Sequence, residues 1–459
     1  MNEFVAAMEA YGYPESKDVQ DLDSCNAVQK WLRYVSPEGK RQDAAHTYLH
    51  PLLNDGKHAN LHVLVEQKVV RVLFDGDKRA NGVEFTPNAH YYKGEGNPED
   101  IKQTVKARKL VVVSAGACGS PLVLERSGVG AKDVLERAGV PLVAEVPGVG
   151  AEYQDHNVNF FPYRSSLEPD ETMDALFSNR ITMPEAIASG TKLLGHNSID
   201  VASKIRPTDA EVAALGPEFQ AAWDRDFKPN PDKPLVLTGL LTSYISPVAS
   251  APPGQYFSVG NYTAYPYSRG HMHITGPRLT DPLDFEVGYF SDEGDKDVKK
   301  LIWAYKRSRE LARRLSYYRG EVPEGQPAFD ASSPAALVQL DKPLTEVLGV
   351  SSIGEIKDLE YSREDDAAIE QFLRKFTHTT WHSLGTCKMA PPEQGGSVDK
   401  DLNVYGGVKG LKVVDLSIVP KNVGANTNNT ALLVGEKGAD IIARELGIPF
   451  STRGRLIVD

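Results

Sequence analysis

The sequence predicts an α/β domain with a doubly wound parallel sheet, closed by the C-terminal part of the chain, and a second, α+β domain inserted within it. Residues 109–114 and 411–415 are continuous apolar runs of strand length, which are typical of strands buried on both faces of a parallel sheet. Each run is followed by glycine or capping residues and then by a helical pattern, as in a strand-to-helix crossover. Since the two runs lie far apart in the chain, the α/β domain is predicted to be discontinuous.

Ahead of the first apolar run, the sequence predicts two short helices followed by a β-meander. The helices cover residues 2–11 and 43–53. Turn residues separate the strands, because Asp75-Gly76-Asp77 and Asn81-Gly82 favour tight turns. The predicted strands of the meander are residues 61–65, 69–74 and 82–85, and a polar loop follows at residues 92–100.

A glycine turn behind residues 109–114 is predicted to begin a helix. Gly116 permits backbone conformations that other residues avoid. Ser120 is predicted as the N-cap of the helix and Pro121 as its first residue, because serine caps orphan amides and proline has no amide hydrogen to lose.

Residues 157–400 form the predicted α+β domain, and residues 1–156 and 401–459 form the predicted α/β domain. Helical patterns alternate with strand patterns in the middle part of the chain. The helix at residues 297–318 is rich in lysine and arginine beside an apolar stripe, which predicts a solvated charged face. The predicted helices are residues 180–194, 211–223, 297–318 and 363–376, the predicted strands are residues 235–243 and 271–274, and a final helix covers residues 428–446.

Composition and charge disfavour several classes of function. Acidic residues outnumber basic residues by 62 to 51, and the formal net charge of −11 argues against a nucleic-acid partner. No apolar stretch reaches the ~18 residues of a membrane span, so no membrane association is predicted. Three cysteines without a CxxC pattern indicate a reducing, intracellular compartment. His271 and His273 alternate on one strand, but no third ligand accompanies them, so no metal site is predicted.

Four segments carry residues suited to chemistry, although each has a simpler structural explanation when taken alone. The first two contain glycines where the backbone must approach something closely, or where it merely turns. The second ends in Gln154-Asp155-His156, the third contains His382, and the fourth contains Asn426. The segments are residues 116–130, 147–156, 380–387 and 415–437.

Together these segments resemble the glucose–methanol–choline (GMC) flavoprotein oxidoreductases, and among them most closely the fungal alcohol (methanol) oxidases. The resemblance spans residues 2–447, and residues 265–270 and 303–306 indicate the alcohol oxidase subtype. Residues 116–130 resemble the second signature of the family, residues 146–156 its PGVG and QDH turn, residues 381–387 its HxxGTC catalytic segment, and residues 413–437 its closing strand, N-T-N turn and flavin-facing helix.

The resemblance implies FAD-dependent oxidation of a small primary alcohol to the aldehyde, with O2 reduced to H2O2. It also implies an incomplete, discontinuous FAD/NAD(P)-binding-like domain and a substrate-binding domain built on an antiparallel sheet with helices. By their places in the family motifs, the implied catalytic residues are His382 and Asn426, the implied substrate-pocket residue is Trp381, and the implied cofactor-binding residues are Val69, Gly150, Asp415 and Thr427.

The implied catalytic residues suit alcohol oxidation on chemical grounds. A histidine with a pKa near its usual value of about 6.5 can take the hydroxyl proton at neutral pH. The Asn426 amide can bind the developing alkoxide without itself titrating. Each residue also has a structural alternative, because histidines are mostly structural and asparagine is a common turn residue. The alternatives for the cofactor-binding residues are a core valine, a turn glycine, a strand-end cap and a helix N-cap.

One motif of such flavoproteins is missing from the sequence. Glycine pairs spaced as GxG occur at Gly94, Gly128 and Gly148, but none continues as GxGxxG, the turn that binds the ADP pyrophosphate. We therefore expect an N-terminal segment of the family to be absent from this chain, and we expect the chain alone to retain little FAD. A non-catalytic or truncated GMC-fold protein is the main alternative function, and an oxidase or dehydrogenase for another alcohol, such as an aryl alcohol, is a second.

Location and assembly follow from the resemblance alone. The family implies a peroxisomal protein, but the chain ends at Asp459 without the peroxisomal tripeptide, so a cytoplasmic location is the alternative. The family resemblance also allows a homo-oligomer.

Overall fold

The computed structural model describes residues 1–21, 23–246 and 252–448, and the elements below are those of the described residues. The helices are α1 Asn2–Ala10, α2 His50–Asn54, α3 Ser120–Arg126, α4 Lys132–Arg137, α5 Asp174–Phe177, α6 Met183–Ser189, α7 Asp209–Ala214, α8 Pro217–Asp226, α9 Lys296–Arg313, α10 Leu344–Leu348, α11 Arg363–Phe376 and α12 Asn428–Glu445. The strands are β1 Ala27–Lys30, β2 Gln67–Phe74, β3 Ala80–Pro87, β4 Gln103–Lys106, β5 Val111–Val113, β6 Val129–Gly130, β7 Ala144–Glu145, β8 Asn157–Ser165, β9 Ile199–Ile205, β10 Val236–Leu241, β11 Tyr256–Thr263, β12 His271–Ile274, β13 Leu283–Glu286, β14 Tyr318–Glu321, β15 His378–Thr379 and β16 Leu411–Val413.

The chain divides into two compact units, each made of three stretches of sequence. Unit 1 comprises Met1–Asn54, His156–Tyr267 and Phe290–Thr380. Unit 2 comprises Asp55–Asp155, Ser268–Tyr289 and Trp381–Asp459, of which residues 449–459 lie outside the described part.

The units differ from the predicted domain boundaries at three places. Residues 1–54 belong to unit 1, because α1 packs against α9 and β1. Residues 268–289 and 381–400 belong to unit 2, where β12 packs against α3 and α4. The assignment of one domain to the cofactor and the other to the substrate stays a prediction.

Unit 1 is built on a seven-stranded antiparallel sheet. The strand order is β1-β9-β10-β11-β8-β14, and β15 pairs with β8 as well. Helix α9 packs against β10 and β11, and α11 packs against α9. The core contains large aromatic side chains, among them Phe161, which lies edge-on to Tyr305 at a ring separation of 4.7 Å. Burial of such side chains stabilises the unit by about 1.5–3 kcal/mol each.

Two basic residues of α9 contradict the predicted solvated face. Lys300 is fully buried and donates to Asp297 at 2.8 Å. Arg309 is 1% exposed and donates through Nε to Glu321 at 2.9 Å. The prediction failed here because a helix pattern does not show what packs over a charged residue: Lys300 also donates to the Tyr265 carbonyl at 2.8 Å, and the partner of Arg309 lies on β14.

Helix boundaries in unit 1 follow local capping. Helix α11 matches its predicted bounds, because Ser362 and Asp365 form a reciprocal capping box. The predicted helix at residues 211–223 is instead two helices, α7 and α8, since Gly216 has a φ of 93° and precedes a proline.

Unit 2 contains the parallel strand pair that the sequence predicts. Strands β5 and β16 pair in register, with Val111 opposite Leu411 and Val113 opposite Val413, so the prediction that the two apolar runs share one domain is confirmed. The run is buried on one face only, unlike a strand inside a complete parallel sheet: Val111 and Val113 are buried, whereas Val112 is 42% exposed. In the described chain β5 belongs to a two-stranded sheet, so the face that carries Val112 is left uncovered.

The meander of unit 2 is shifted along the chain from its predicted place. Strands β2, β3 and β4 form the antiparallel sheet, so the strands predicted near residues 69–74 and 82–85 are confirmed. The strand predicted at residues 61–65 is wrong, and Leu64 and Val65 are well exposed. The third strand is β4, whose polar sequence hid it from an apolar-pattern search.

Candidate active site

His382 lies in unit 2 in a partly buried position just after Trp381. Its backbone amide donates to Asp155 Oδ1 at 3.1 Å. Burial lowers the pKa of the His382 imidazole to about 4, and the negative charge of Asp155 opposes this shift. The side chain is therefore neutral near pH 7 and can accept a proton.

Trp381 occupies an unusual backbone conformation beside this histidine. Its φ of 58° lies in the left-handed region that residues other than glycine rarely adopt, and its side chain is 80% exposed. Backbone strain of this kind is concentrated at functional sites. The role of Trp381 in shaping a substrate pocket stays a prediction.

The segment after His382 runs beside the segment that precedes Asn426. Three backbone amides, those of Gly385, Cys387 and Met389, donate to consecutive carbonyls of Leu416, Ser417 and Ile418 at 3.3, 2.8 and 2.8 Å. These bonds fix the two segments against each other, although they are distant in sequence. The convergence of the His382 and Asn426 side chains on one substrate oxygen stays a prediction.

The loop that carries Asn426 leads directly into helix α12. Asn426 is partly buried, and Thr427 is 4% exposed at the N-cap position of α12. The side chain of Thr427 makes no capping hydrogen bond.

Asp415, a predicted cofactor-binding residue, joins the ends of the two parallel strands. Its Oδ2 accepts hydrogen bonds from the Gly116 amide at 3.0 Å and from Ser120 Oγ at 2.5 Å, and its Oδ1 accepts from the Ser417 amide at 2.7 Å. Ser120 is the first residue of α3, and Gly119 is the N-cap, so the predicted capping pattern is displaced by one residue. Asp415 therefore organises the glycine turn after β5.

The other two predicted cofactor-binding residues have clear structural surroundings. Gly150 has a φ of 80°, and a Cβ there would lie 2.4 Å from Nδ1 of His273, so local packing alone requires glycine. Val69 lies on β2 and is 41% exposed. Exposure argues against the alternative that Val69 is a core valine.

Sequence analysis assigned no catalytic or binding role to two residues of the QDH turn that contact the predicted site segments, Gln154 and Asp155. Gln154 and Asp155 stand out in the QDH turn, but a pattern could not show that their side chains bind the His382 and Asn426 segments. The sequence feature that could have indicated them is that a glutamine and an aspartate stand next to each other after a glycine-rich turn and just before a strand.

The two histidines on β12 each pair with a carboxylate. His271 Nε2 lies 3.0 Å from Asp284 Oδ1, and His273 Nδ1 lies 2.6 Å from Glu125 Oε1. Across residues 1–21, 23–246 and 252–448, no cluster of three or more histidine, cysteine, aspartate or glutamate side chains is arranged to hold a metal ion. Among the described residues, no helix is both long enough and apolar enough to cross a bilayer.

A cavity of about 460 Å³ opens in unit 1. Its lining includes Arg33, His196, Asp200 and Tyr317, and it contains none of the predicted site residues. All of the predicted site residues belong to unit 2.

Comparison with known proteins identifies the family. Two family models, both described as GMC oxidoreductase, match residues 1–158 and residues 266–435. The alcohol oxidase of Candida boidinii is 37% identical over 488 aligned positions, which cover 97% of this chain and 72% of that protein. The chain belongs to the GMC oxidoreductase family. Alcohol oxidase 1 of Komagataella phaffii is 36% identical, with the same coverage of both chains.

Membership of the GMC oxidoreductases also agrees with the fold. A solved structure of an FAD-dependent oxidoreductase from Chaetomium thermophilum matches with a TM-score of 0.72 at 21% identity, covering 98% of this chain and 72% of that one. The predicted family and fold class, with an antiparallel sheet and helices beside an α/β part, are confirmed. The match of residues 266–435 includes both His382 and Asn426.

Proposed function

We propose that this GMC oxidoreductase oxidises a small primary alcohol to the aldehyde, using FAD and reducing O2 to H2O2. The observation that supports this most strongly is the backbone ladder between residues 385–389 and 416–418, which ties the His382 segment to the segment before Asn426. The chain that carries this ladder is 37% identical to an alcohol oxidase.

The proposed chemistry assigns one role to each residue. His382 accepts the hydroxyl proton of the alcohol on its neutral imidazole, while the hydride leaves the α-carbon and the C=O bond forms. Asn426 donates from its amide to the substrate oxygen as negative charge develops there. Trp381 limits the size of the alcohol. When bound, FAD would supply the acceptor for this hydride and the means of reducing O2 by two electrons.

The residues of unit 2 fit the flavin end of such a cofactor. The Nδ2 amide of Asn422 is buried and has no hydrogen-bond partner in the described part of the chain, so it is left for an acceptor from elsewhere. A Cβ at Gly116 would meet nothing within 4 Å, so there is open space beside the turn after β5. We propose that Val69, Gly150, Asp415 and Thr427 line the FAD site.

The main alternative is a GMC-fold protein that does not retain FAD. It is favoured by the absence of a GxGxxG turn from the sequence, since a helix N-terminus behind that turn supplies much of the affinity for the pyrophosphate. An aryl alcohol as substrate is a second alternative.

We also propose that the protein is intracellular, either peroxisomal or cytoplasmic, and that it forms a homo-oligomer.

The experiment that separates these proposals uses the full chain incubated with FAD and then desalted. Retained visible flavin absorbance and H2O2 formation from a short-chain alcohol support the oxidase, and the substitution His382→Ala should then abolish most turnover. His271→Ala is the matched control, because His271 lies in the same unit and pairs with Asp284. Protein without flavin supports the alternative, and faster turnover of an aryl alcohol would replace the proposed substrate class.

A further inference from the structure

Gln154 binds both segments that carry the proposed catalytic residues. Its backbone forms an antiparallel bridge with Leu384, with N···O distances of 3.1 and 3.0 Å. Its side chain is 1% exposed; Oε1 accepts from the Asn422 amide at 3.0 Å, and Nε2 donates to the Pro420 carbonyl at 3.3 Å. One residue therefore holds the His382 segment through its backbone and the Asn426 loop through its side chain.

The neighbouring Asp155 binds the backbone of His382 itself. Asp155 is 3% exposed, its Oδ1 accepts from the His382 amide at 3.1 Å, and Tyr289 donates to its Oδ2 at 3.4 Å. A buried carboxylate at this place supplies negative charge beside the imidazole as well as a fixed attachment point.

Gly385 permits the close approach of this turn to the His382 segment. It has a φ of 91°, and a Cβ there would lie 2.7 Å from the Glu152 carbonyl oxygen and 3.0 Å from Gln154 Nε2. The packing around Gln154 is therefore tight, and its hydrogen bonds have little freedom to rearrange.

We propose that Gln154 and Asp155 are positioning residues of the candidate active site: Gln154 fixes the loop of Asn426 against the His382 segment, and Asp155 holds His382 and stabilises the imidazolium that forms when it takes the substrate proton. The inference rests on the proposed function, in which His382 accepts the substrate proton and Asn426 binds the substrate oxygen.

The charges around Asp155 agree with this role. Burial raises the pKa of Tyr153 and of Cys118, so both groups are neutral near pH 7. The charge of the nearby Glu152 is compensated by Arg269 at 3.3 Å and Lys388 at 3.7 Å. Asp155 therefore supplies the negative charge that acts on His382, and without it the base would become weaker still.

The test of Asp155 is an NMR titration of His382 in the full chain, which needs neither flavin nor turnover. The signal is assigned from its loss in His382→Gln. Asp155→Asn keeps the shape but removes the charge, so the pKa of His382 should fall by about 1. Asp284→Asn, which neutralises the partner of exposed His271, is the matched control and should leave His382 unchanged. An unchanged pKa of His382 in Asp155→Asn would overturn the proposal, and Asp155→Ser gives the same test if the first variant does not fold.

The test of Gln154 is hydrogen exchange of the backbone around Asn422. Gln154→Met keeps the length of the side chain but removes its amide, so the Asn422 amide should exchange about tenfold faster. Gln154→Ala gives the same reading if the first variant does not fold, and Gln220→Met on α8 is the control. Equal exchange in the Gln154 variant and the wild-type protein would refute the positioning role.

A failure of the positioning roles can be distinguished from a failure of the proposed function. If flavin-loaded protein turns over equally well after His382→Ala, the proposed function fails while the titration still reports the effect of Asp155 on His382. If His382 is essential but Asp155→Asn changes neither its pKa nor the acid limb of the kcat/KM profile, the positioning role fails alone.

Discussion

Asp415 offers a direct test of how the two parallel strands of unit 2 are held together. Its carboxylate accepts three hydrogen bonds, two from backbone amides and one from Ser120 Oγ. Asp415→Ala leaves the amides of Gly116 and Ser417 without their acceptor. An unsatisfied buried donor costs about 1–3 kcal/mol, and Asp415 is only partly buried, so we expect unit 2 to lose about 2–4 kcal/mol.

The loss is measured by urea unfolding combined with hydrogen exchange, so that unit 2 is followed by itself. Amides of β5 and the glycine turn, residues 111–120, should exchange faster at urea concentrations where unit 1 is unchanged. Asp440→Ala is the control, because within the described residues Asp440 pairs only with the exposed side chains of Lys437 and Arg444 on its own helix α12, so its loss should leave the exchange of residues 111–120 unchanged. Equal exchange of residues 111–120 in both variants would refute the structural role of Asp415.

Three further predictions address pH, backbone strain and buried charge. The pKa of His382 is about 4 in the folded chain and about 6.5 in the unfolded chain, so the unfolded chain binds more protons between these two pH values. The urea midpoint should therefore fall as the pH drops from 6.5 to 4. The substitution His382→Gln removes this group and should make the fall shallower. Gly385→Ala should lower the melting temperature more than Gly349→Ala, because both glycines have positive φ but only Gly385 has close neighbours; equal losses would contradict the packing argument. Arg309→Met leaves Glu321 buried without its partner and should destabilise unit 1 by about 3–5 kcal/mol in urea unfolding, with partial recovery on adding Glu321→Gln; no recovery would contradict the pairing.

The sequence predicted the elements that depend on local patterns. The apolar runs of β5 and β16, the long helices α11 and α12, and the strand β12 were found because periodicity and capping residues specify them. The strand β4 was missed because it is polar, and the displaced N-cap of α3 shows that element ends are less well specified than element cores.

The candidate site was only partly predictable for a different reason. The family motifs located His382 and Asn426, but the contacts of Gln154 and Asp155 join residues more than two hundred positions apart. The same limit explains the burial of Arg309, whose partner Glu321 lies on β14, and of Lys300, which donates to the Tyr265 carbonyl from α9. Charge and periodicity describe one segment at a time, whereas these contacts belong to pairs of segments.

The ladder between residues 385–389 and 416–418 constrains where the chain tolerates insertions and deletions. Because Gly385, Cys387 and Met389 each donate to a defined carbonyl, one added residue within 385–389 would displace every following donor by one position and break the register with residues 416–418. Residues added at the 3₁₀ turn Pro392–Gln394, which lies outside the ladder and has no buried residue, leave that alignment intact. We therefore expect insertions and deletions among related sequences to occur at Pro392–Gln394 rather than within residues 385–389 or 416–418, and an engineered tag should be inserted at this turn.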